Sequence, residues 1–399
     1  MKNILFLTST NLAANPRLLK ELKLATSNGY EATVIQFSVG NWSDTMTADL
    51  QQQFPAVEFV QLSALRKPFF PWLLCTAFFK LSNIVPLSVR NYWLLSVSAG
   101  KRSFLLLQEL KKMNKRYDWV IAHNPAAFYP ASWFGKKAGA KIGIDVEDYH
   151  PGETSDPKAA ATMRRLMEVV LPTATYCSYA APLICEGVQK DIPGLRNKQL
   201  ILLNGFDEME FVRPEATAGE KLKLVWFSQH IDAGRGLEKL IPVVQELSPK
   251  VELHLVGQLN KLFEERYLSN KSGIVLHKPM QQKQLHLFLA EFDVGLATDL
   301  PVNRNRDIAL TNKIIAYAQA GLAIAAMHTS AQDQFLRESD LQYVQMDNEA
   351  SSIHQALLDL HQKKKNGELN KQDQFKKGQA YAWGNLSQPL LAIWEKKYA

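Results

Sequence analysis

Leu222-Lys223-Leu224-Val225-Trp226-Phe227-Ser228-Gln229-His230-Ile231-Asp232-Ala233-Gly234-Arg235-Gly236-Leu237 lies past the midpoint of a 399-residue chain and reads as the beginning of a second domain. Leu222–Phe227 is a short apolar run of strand length, the loop after it passes through Gly-Arg-Gly, and helical spacing begins at Gly236 and holds to about Leu247. The alternation then continues. Val251–Val256, Gly273–Leu276, Val294–Ala297, Leu322–Ala326 and Gln342–Val344 read as strands, with helices near Gln282–Ala290, Asn312–Ala320 and Ser351–Lys365. Strands separated by helices predict a parallel sheet covered on both faces.

Working back from this stretch, the first half shows the same pattern. Ile4–Leu7, Ala32–Phe37, Val57–Val60, Trp119–Ala122, Lys141–Asp145, Thr175–Ser178 and Leu200–Leu203 are strand candidates. Between the first two, Leu18, Leu19, Leu22 and Ala25 recur at helical spacing from Pro16 to Ser27, and Gly29 stands where a helix-terminating glycine belongs. The polar stretch Phe211–Glu220, marked by Pro214 and Gly219, is the expected linker. At 399 residues two domains are the natural reading. An α/β fold is expected, with residues 1–213 forming one Rossmann-like domain and 214–379 another. Two such doubly wound parallel sheets facing each other enclose a cleft, and ligands of open α/β sheets bind beyond the carboxyl ends of the strands.

Composition limits the function. The chain is 46% hydrophobic and 21% charged, which fits a globular protein. Its formal charge of +7 suits an anionic ligand or surface without identifying one. There is no zinc spacing, aromatic RNA-binding motif or long basic run, so no nucleic-acid partner is expected. Cys75, Cys177 and Cys185 form no CxxC pair; buried thiols in a reducing, cytoplasmic setting are expected. The opening Met1–Thr8 is too short an apolar run for a secretory h-region and reads as a first strand. No phosphate-loop, dinucleotide-binding or nucleophile-elbow motif occurs, which removes support for those enzyme classes.

Five stretches carry possible chemistry. Gly234-Arg235-Gly236 opens a helix, where amides and a planar guanidinium fit an anion such as a diphosphate; an ordinary turn with an exposed arginine fits the same residues equally well. Asn303-Arg304-Asn305-Arg306-Asp307-Ile308-Ala309-Leu310-Thr311-Asn312-Lys313 is a second polar loop leading into a helix, with Thr311 as the expected N-cap. Asp145-Val146-Glu147-Asp148-Tyr149-His150 combines carboxylates and histidine at a strand end, suited to acid/base work, hydroxyl binding or plain turn chemistry. His123 follows a strand and is expected to face the cleft. Asn204-Gly205-Phe206-Asp207 precedes the linker.

Taken in order, these motifs resemble the retaining GT-B glycosyltransferases of family four, also called group one. Asn15-Pro16-Arg17 resembles that family's acceptor-side loop, and Asn204-Gly205-Phe206-Asp207 followed by Phe211 is similar to its segment before the linker. Arg235-Gly236-Leu237 stands where the family has Lys-Gly, and Asn312-Lys313-Ile314 through Tyr317, Ala320 and Gly321 is similar to its N-K-x-x-E-Y-x-x-x-G. The end of the chain, about 380–399, resembles the helix that returns to the first domain. The resemblance implies a nucleotide-sugar donor in the second domain, a glycan or lipid-linked acceptor at the first, retention, and no cofactor or obligatory metal, in cell-surface polysaccharide or glycolipid assembly. It implies His123, Arg235 and Asp307 as catalytic residues. Ser228, Gln229, Gly234, Ile308, Ala309, Leu310, Thr311, Asn312 and Lys313 would lie at the donor, and Asn15, Arg17, Glu147 and Asp148 on the acceptor side.

The sequence departs from the family at the two glutamates expected around the donor helix. Ile308 and Ala316 stand there, with Asp307 adjacent to the first, and Ser228-Gln229 replaces a usual Gly-Arg. A sugar-nucleotide epimerase of the same architecture and a non-catalytic sugar-nucleotide-binding relative are the alternatives. Residues 66–102 combine aromatic and basic side chains, which fits either core helices or peripheral contact with the inner face of a membrane.

Overall fold

The computed structural model describes residues 2–217 and 219–396. Ala218 of the expected linker and the last three residues of the closing segment lie outside the described residues. The chain divides into two compact units, Met1–Leu202 with Pro389–Ala399, and Leu203–Gln388.

The first unit is built on seven parallel strands, β1 (Asn3–Thr8), β2 (Glu31–Ser38), β3 (Glu58–Ser63), β4 (Trp119–His123), β5 (Lys141–Val146), β6 (Tyr176–Tyr179) and β7 (Lys198–Ile201). Their order is β3-β2-β1-β4-β5-β6-β7, so the winding reverses between β1 and β4. Around them run α1 (Pro16–Ser27), α2 (Trp42–Gln51), α3 (Phe69–Ile84), α4 (Tyr92–Ala99), α5 (Ser103–Lys112), α6 (Pro125–Ala138), α7 (Pro157–Val170) and α8 (Pro182–Asp191). Ile4–Thr8 of β1 are inaccessible on both faces, as the apolar run Ile4–Leu7 predicts. α1 starts at Pro16 because Asn15 caps it, and turns off at Gly29, whose φ of 75° belongs to the left-handed region.

The second unit has six strands, β8 (Leu222–Ile231), β9 (Val251–Leu259), β10 (Ile274–His277), β11 (Val294–Ala297), β12 (Ala323–Met327) and β13 (Tyr343–Met346), in the order β10-β9-β8-β11-β12-β13. Its reversal falls between β8 and β11. The helices are α9 (Leu237–Glu246), α10 (Lys261–Tyr267), α11 (Gln282–Leu289), α12 (Arg304–Ile308), α13 (Asn312–Gln319), α14 (Ser330–Glu338), α15 (Ala350–Lys365), α16 (Lys371–Gly378) and the short α17 (Trp383–Leu386). α18 (Gln388–Glu395) follows and belongs almost wholly to the first unit.

Two boundaries differ from expectation. The change of unit falls at Leu202/Leu203 rather than at 213/214. Phe206 and Phe211 pack into the second core, and the Phe206 amide donates to Gln319 Oε1 at 2.8 Å. The return to the first unit begins at Pro389 rather than near 380. Tyr381 and Leu386 sit so close to Gly205 that a Cβ there would lie 2.0 Å from the Tyr381 carbonyl oxygen. From Pro389 on, Trp394 is buried in the first unit, donating from Nε1 to Tyr176 Oη at 3.2 Å.

All three cysteines are free and buried. Residues 66–102 divide between core and surface. Cys75, Val97 and Phe104 form a buried cluster with Phe78, Phe79 and Trp93 against it, while Phe69, Phe70 and Tyr92 are exposed. Among the described residues no helix is long and apolar enough to cross a membrane.

Candidate functional site

In the first unit the carboxyl ends of four strands place Thr8, His123, Asp145 and Ser178 in one register row. A row of polar side chains inside a sheet buried on both faces must find partners, and α1 supplies them. Arg17 Nε and Nη2 donate to Asp145 Oδ2 and Oδ1 at 2.7 and 2.6 Å, and its Nη1 donates to the Leu202 carbonyl at 2.8 Å. Ser178 Oγ adds a bond to Asp145 Oδ1 at 2.7 Å. His123 lies between two carboxylates, Nδ1 3.2 Å from Asp145 Oδ2 and Nε2 3.4 Å from Glu21 Oε2, neither contact aligned as a hydrogen bond. Burial alone would lower the His123 pKa, but Glu21 and Asp145 outweigh it and hold the imidazole at about 10. Burial would raise that of Asp145, and Arg17 outweighs it, holding the carboxyl far below its usual range.

This corrects three expectations. His123 does not face an open cleft but is wholly buried, because its ring points back onto Glu21 of α1. Arg17 is spent inside the same network. Asn15 is buried as the cap of α1, accepting from the Leu18 amide at 3.0 Å, with Nδ2 3.5 Å from Thr8 and Asn124. Glu21, His123 and Asp145 offer donor atoms within 4.8 Å of one another, a spacing that suits a metal ion. The Arg17 guanidinium already covers both oxygens of Asp145, so the cluster is a charge-balanced ion-pair network and a poor cation site.

Glu147 and Asp148 follow β5 and are half-buried. Burial raises the pKa of Glu147, with Arg17 opposing and Asp145 and Asp148 reinforcing. Its carboxyl makes no hydrogen bond among the described residues. Beside it on the neighbouring strand end, Asn124 has a φ of 71°, unusual for a residue with a side chain, and accepts from Thr8 Oγ1 at 2.7 Å.

In the second unit the site expected at the end of Phe227 begins later. β8 runs on to Ile231, because an irregularity between Phe227 and His230 lets pairing resume with Gln258 and Leu259 of β9. Ser228 and Gln229 are therefore strand residues at that irregularity, not loop residues. The loop is Asp232–Gly236, and Gly236 is a requirement: its φ is 75° and a Cβ would lie 2.1 Å from the Thr298 carbonyl oxygen. Thr298, just past β11, ties the loop down. Its Oγ1 donates to the Arg235 carbonyl at 2.6 Å and accepts from Trp226 Nε1 at 2.9 Å. The Arg235 side chain is half-buried and has no hydrogen bond or ion pair among the described residues. Gly234 is exposed, and its amide donates to the Glu238 carboxylate, so a side-chain anion already occupies part of this loop.

Next to Thr298, Asp299 receives Lys313 Nζ at 3.1 and 2.9 Å, with Thr311 Oγ1 3.5 Å away. Arg235, Thr298, Asp299 and Lys313 thus meet where the winding reverses between β8 and β11, the position at which open α/β sheets bind ligands. Thr311 precedes α13 but makes no side-chain cap bond. Asn312 is exposed and accepts from Asn204 Nδ2 at 2.9 Å. Ala309 and Leu310 are half-buried, Leu310 against the core. The polar loop 303–311 contains a helical turn, α12, because Asn303 caps it by accepting from the Arg306 amide at 2.8 Å. Asp307 is not free to replace a glutamate: it takes the Ser330 amide at 2.9 Å and Arg304 Nη1 at 3.0 Å. Ile308 and Ala316 are completely buried, and neither side chain offers a carboxylate to a hydroxyl. Glu21, Thr298 and Asp299 were not singled out from the sequence. Each acquires its role through a partner distant in the chain, and no local motif marks it.

The two reversing parallel sheets define the GT-B class of fold. Three solved structures carry the comparison over almost the whole chain. A glycosyltransferase from Rickettsia africae superposes with a TM-score of 0.68 at 12% identity, covering 99% of this chain and 98% of its own. S. aureus TarM, solved with UDP, does so at 0.67 and 10%, covering 99% and 100%. Anabaena HepE, solved with UDP and glucose, does so at 0.61 and 13%, covering 98% and 99%. No protein-family model and no curated protein matches the sequence.

Proposed function

We propose that this protein transfers a sugar from a nucleotide-sugar donor, held at the β8/β11 reversal of the second unit, to a glycan or lipid-linked acceptor. The carrying observation is Arg235: a half-buried guanidinium without a partner among the described residues, on a loop pinned by Thr298 and leading into α9. When the sugar leaves its diphosphate, negative charge grows on the phosphate oxygens. A guanidinium carried on a pinned loop and the amides at the start of α9 favour that state more than the ground state. Lys313, drawn towards Asp299, supplies a second cation nearby, and no metal is part of the reading. Glu147 and Asp148 are the acceptor-side groups. Retention, a cytoplasmic location, a role in cell-surface glycan assembly and peripheral membrane contact through residues 66–102 complete the proposal.

A thermal-shift screen against UDP-, GDP-, ADP- and dTDP-sugars tests it, since ligand at 100 times Kd stabilises by about 2.7 kcal/mol. UDP-glucose is the first probe, because HepE is solved with it. No shift with any donor sinks the reading. One observation favours a binding protein without transferase activity: Ile308 and Ala316 are buried and offer no hydroxyl-binding carboxylate. Donor binding without release of free nucleotide in the presence of acceptor lipid or glycan extracts would select that alternative.

A further inference from the structure

We infer that the solvent face of α3 is a lipid-docking surface that seats in the headgroup–acyl boundary of an anionic bilayer. α3 is apolar on two opposite faces. One face is spoken for: Cys75 is buried, and Phe78 packs 5.2 Å from Trp93 and 5.1 Å from Phe104 between ring centroids. The other is Phe70, Leu73, Leu74, Ala77, Leu81 and Ile84, a single helical stripe by its spacing. Phe70 is 76% exposed, Ile84 77%, and Leu73, Leu74 and Leu81 between 41% and 51%. Just beyond the helix, Val89 and Tyr92 are exposed as well. Scattered exposed apolar residues are ordinary, but a continuous stripe marks a binding surface.

Charge identifies the occupant. From Phe59 to Gln108 the chain has no aspartate or glutamate. Its exposed cations, Arg66, Lys67 and Lys80, flank the stripe. Two other arginines of this stretch face inward: Arg90 bonds the Val85 carbonyl, Ser98 and Thr162, and Arg102 bonds the Ser9 carbonyl. An apolar stripe flanked by Arg66, Lys67 and Lys80 matches acyl chains beneath anionic headgroups. With 16 residues α3 is too short to span the hydrocarbon core, so it lies in the plane of the membrane. The inference rests on the sugar-transfer reading only for what the docked protein acts on; the lipid contact itself requires nothing from the donor site.

Flotation with phosphatidylcholine vesicles, with and without phosphatidylglycerol, tests it on the full chain. The protein is expected to float with the anionic vesicles at low salt and to be released at high salt. Phe70→Glu with Leu74→Glu should reduce the bound fraction at least tenfold, and Lys67→Gln with Lys80→Gln should reduce it severalfold while leaving the apolar stripe intact. Leu262→Glu, at an exposed site on α10, should float as the parent does. Absence of flotation, or unchanged flotation of the Phe70/Leu74 variant, overturns the inference. So does a parent that sediments as a dimer, fails to float, and becomes monomeric in that variant, since a second copy would then cover α3. The thermal shift with UDP-glucose, measured on the same proteins, separates the two ideas. Its absence in all of them counts against sugar transfer, and its persistence in the Phe70/Leu74 variant shows that lipid and donor bind separately.

Discussion

His123 and Asp145 stand opposite each other in register on β4 and β5, with Nδ1 and Oδ2 3.2 Å apart and both side chains inaccessible to solvent. A histidine that sequence position assigns to chemistry is therefore held as a buried imidazolium between Asp145 and Glu21, with Arg17 balancing the charge from α1.

Stability should fall as pH rises through about 10. The folded-state pKa of His123 lies above its ordinary 6.5, so its contribution is complete below 6.5 and is lost as the imidazole deprotonates in the folded protein. Urea unfolding as a function of pH should show this decline, and His123→Gln should flatten it. A parent curve that stays level between those values would mean that His123 is neutral in the fold.

Asp145→Asn should destabilise the first unit by about 3–5 kcal/mol, because it leaves the Arg17 guanidinium buried without its anion. Denaturant titration followed by circular dichroism gives the value. The depressed pKa of Asp145 makes the matching acid prediction: its contribution is present above the usual carboxylate range and disappears as pH falls below it.

Arg235→Ala should leave thermal stability within about 0.5 kcal/mol, since the side chain has no hydrogen-bond or ion-pair partner among the described residues. It should weaken UDP-glucose binding tenfold or more, about 1.5–3 kcal/mol for a charge-assisted contact. Calorimetric titration decides it, and unchanged affinity removes Arg235 from the donor site.

Gly236→Ala meets the Thr298 carbonyl and a left-handed backbone together. A loss of about 1–3 kcal/mol is expected, with donor affinity falling because the Arg235 loop must move. Wild-type affinity in this variant would show that the loop's position is irrelevant to binding.

Asp307→Ala separates inherited expectation from observed structure. Asp307 holds the start of α14 through Ser330, so the change should cost about 1 kcal/mol, as loss of a helix cap does, and leave donor affinity intact. A specific loss of donor binding without loss of stability would return Asp307 to the site.

Strands were the most legible part of the chain. The bounds of Val294–Ala297 and of the Pro16–Ser27 helix are legible in the sequence, because apolar periodicity and Asn-Pro capping are local signals. The helices Trp42–Gln51, Ser330–Glu338 and Lys371–Gly378 carry little apolar signal, since each is dominated by polar residues. The apolar run of β8 ends at Phe227 and polar Ser228-Gln229-His230 resembles a loop, while pairing of His230 and Ile231 with Gln258 and Leu259 keeps the strand in the sheet.

The sequence alone determined two doubly wound α/β units and the Gly-Arg-Gly loop at the head of the second, because both follow from the order of apolar runs and breakers along the chain. Tertiary structure decided what the charged residues do. Arg17 and Asp145 are 128 positions apart, Arg235 and Thr298 are 63 apart, and only the parallel winding of the strands brings such residues to one edge of a sheet. Whether a histidine is buried between two carboxylates, or an arginine is left half-buried on a pinned loop, depends on those distant neighbours, and a local motif does not contain them.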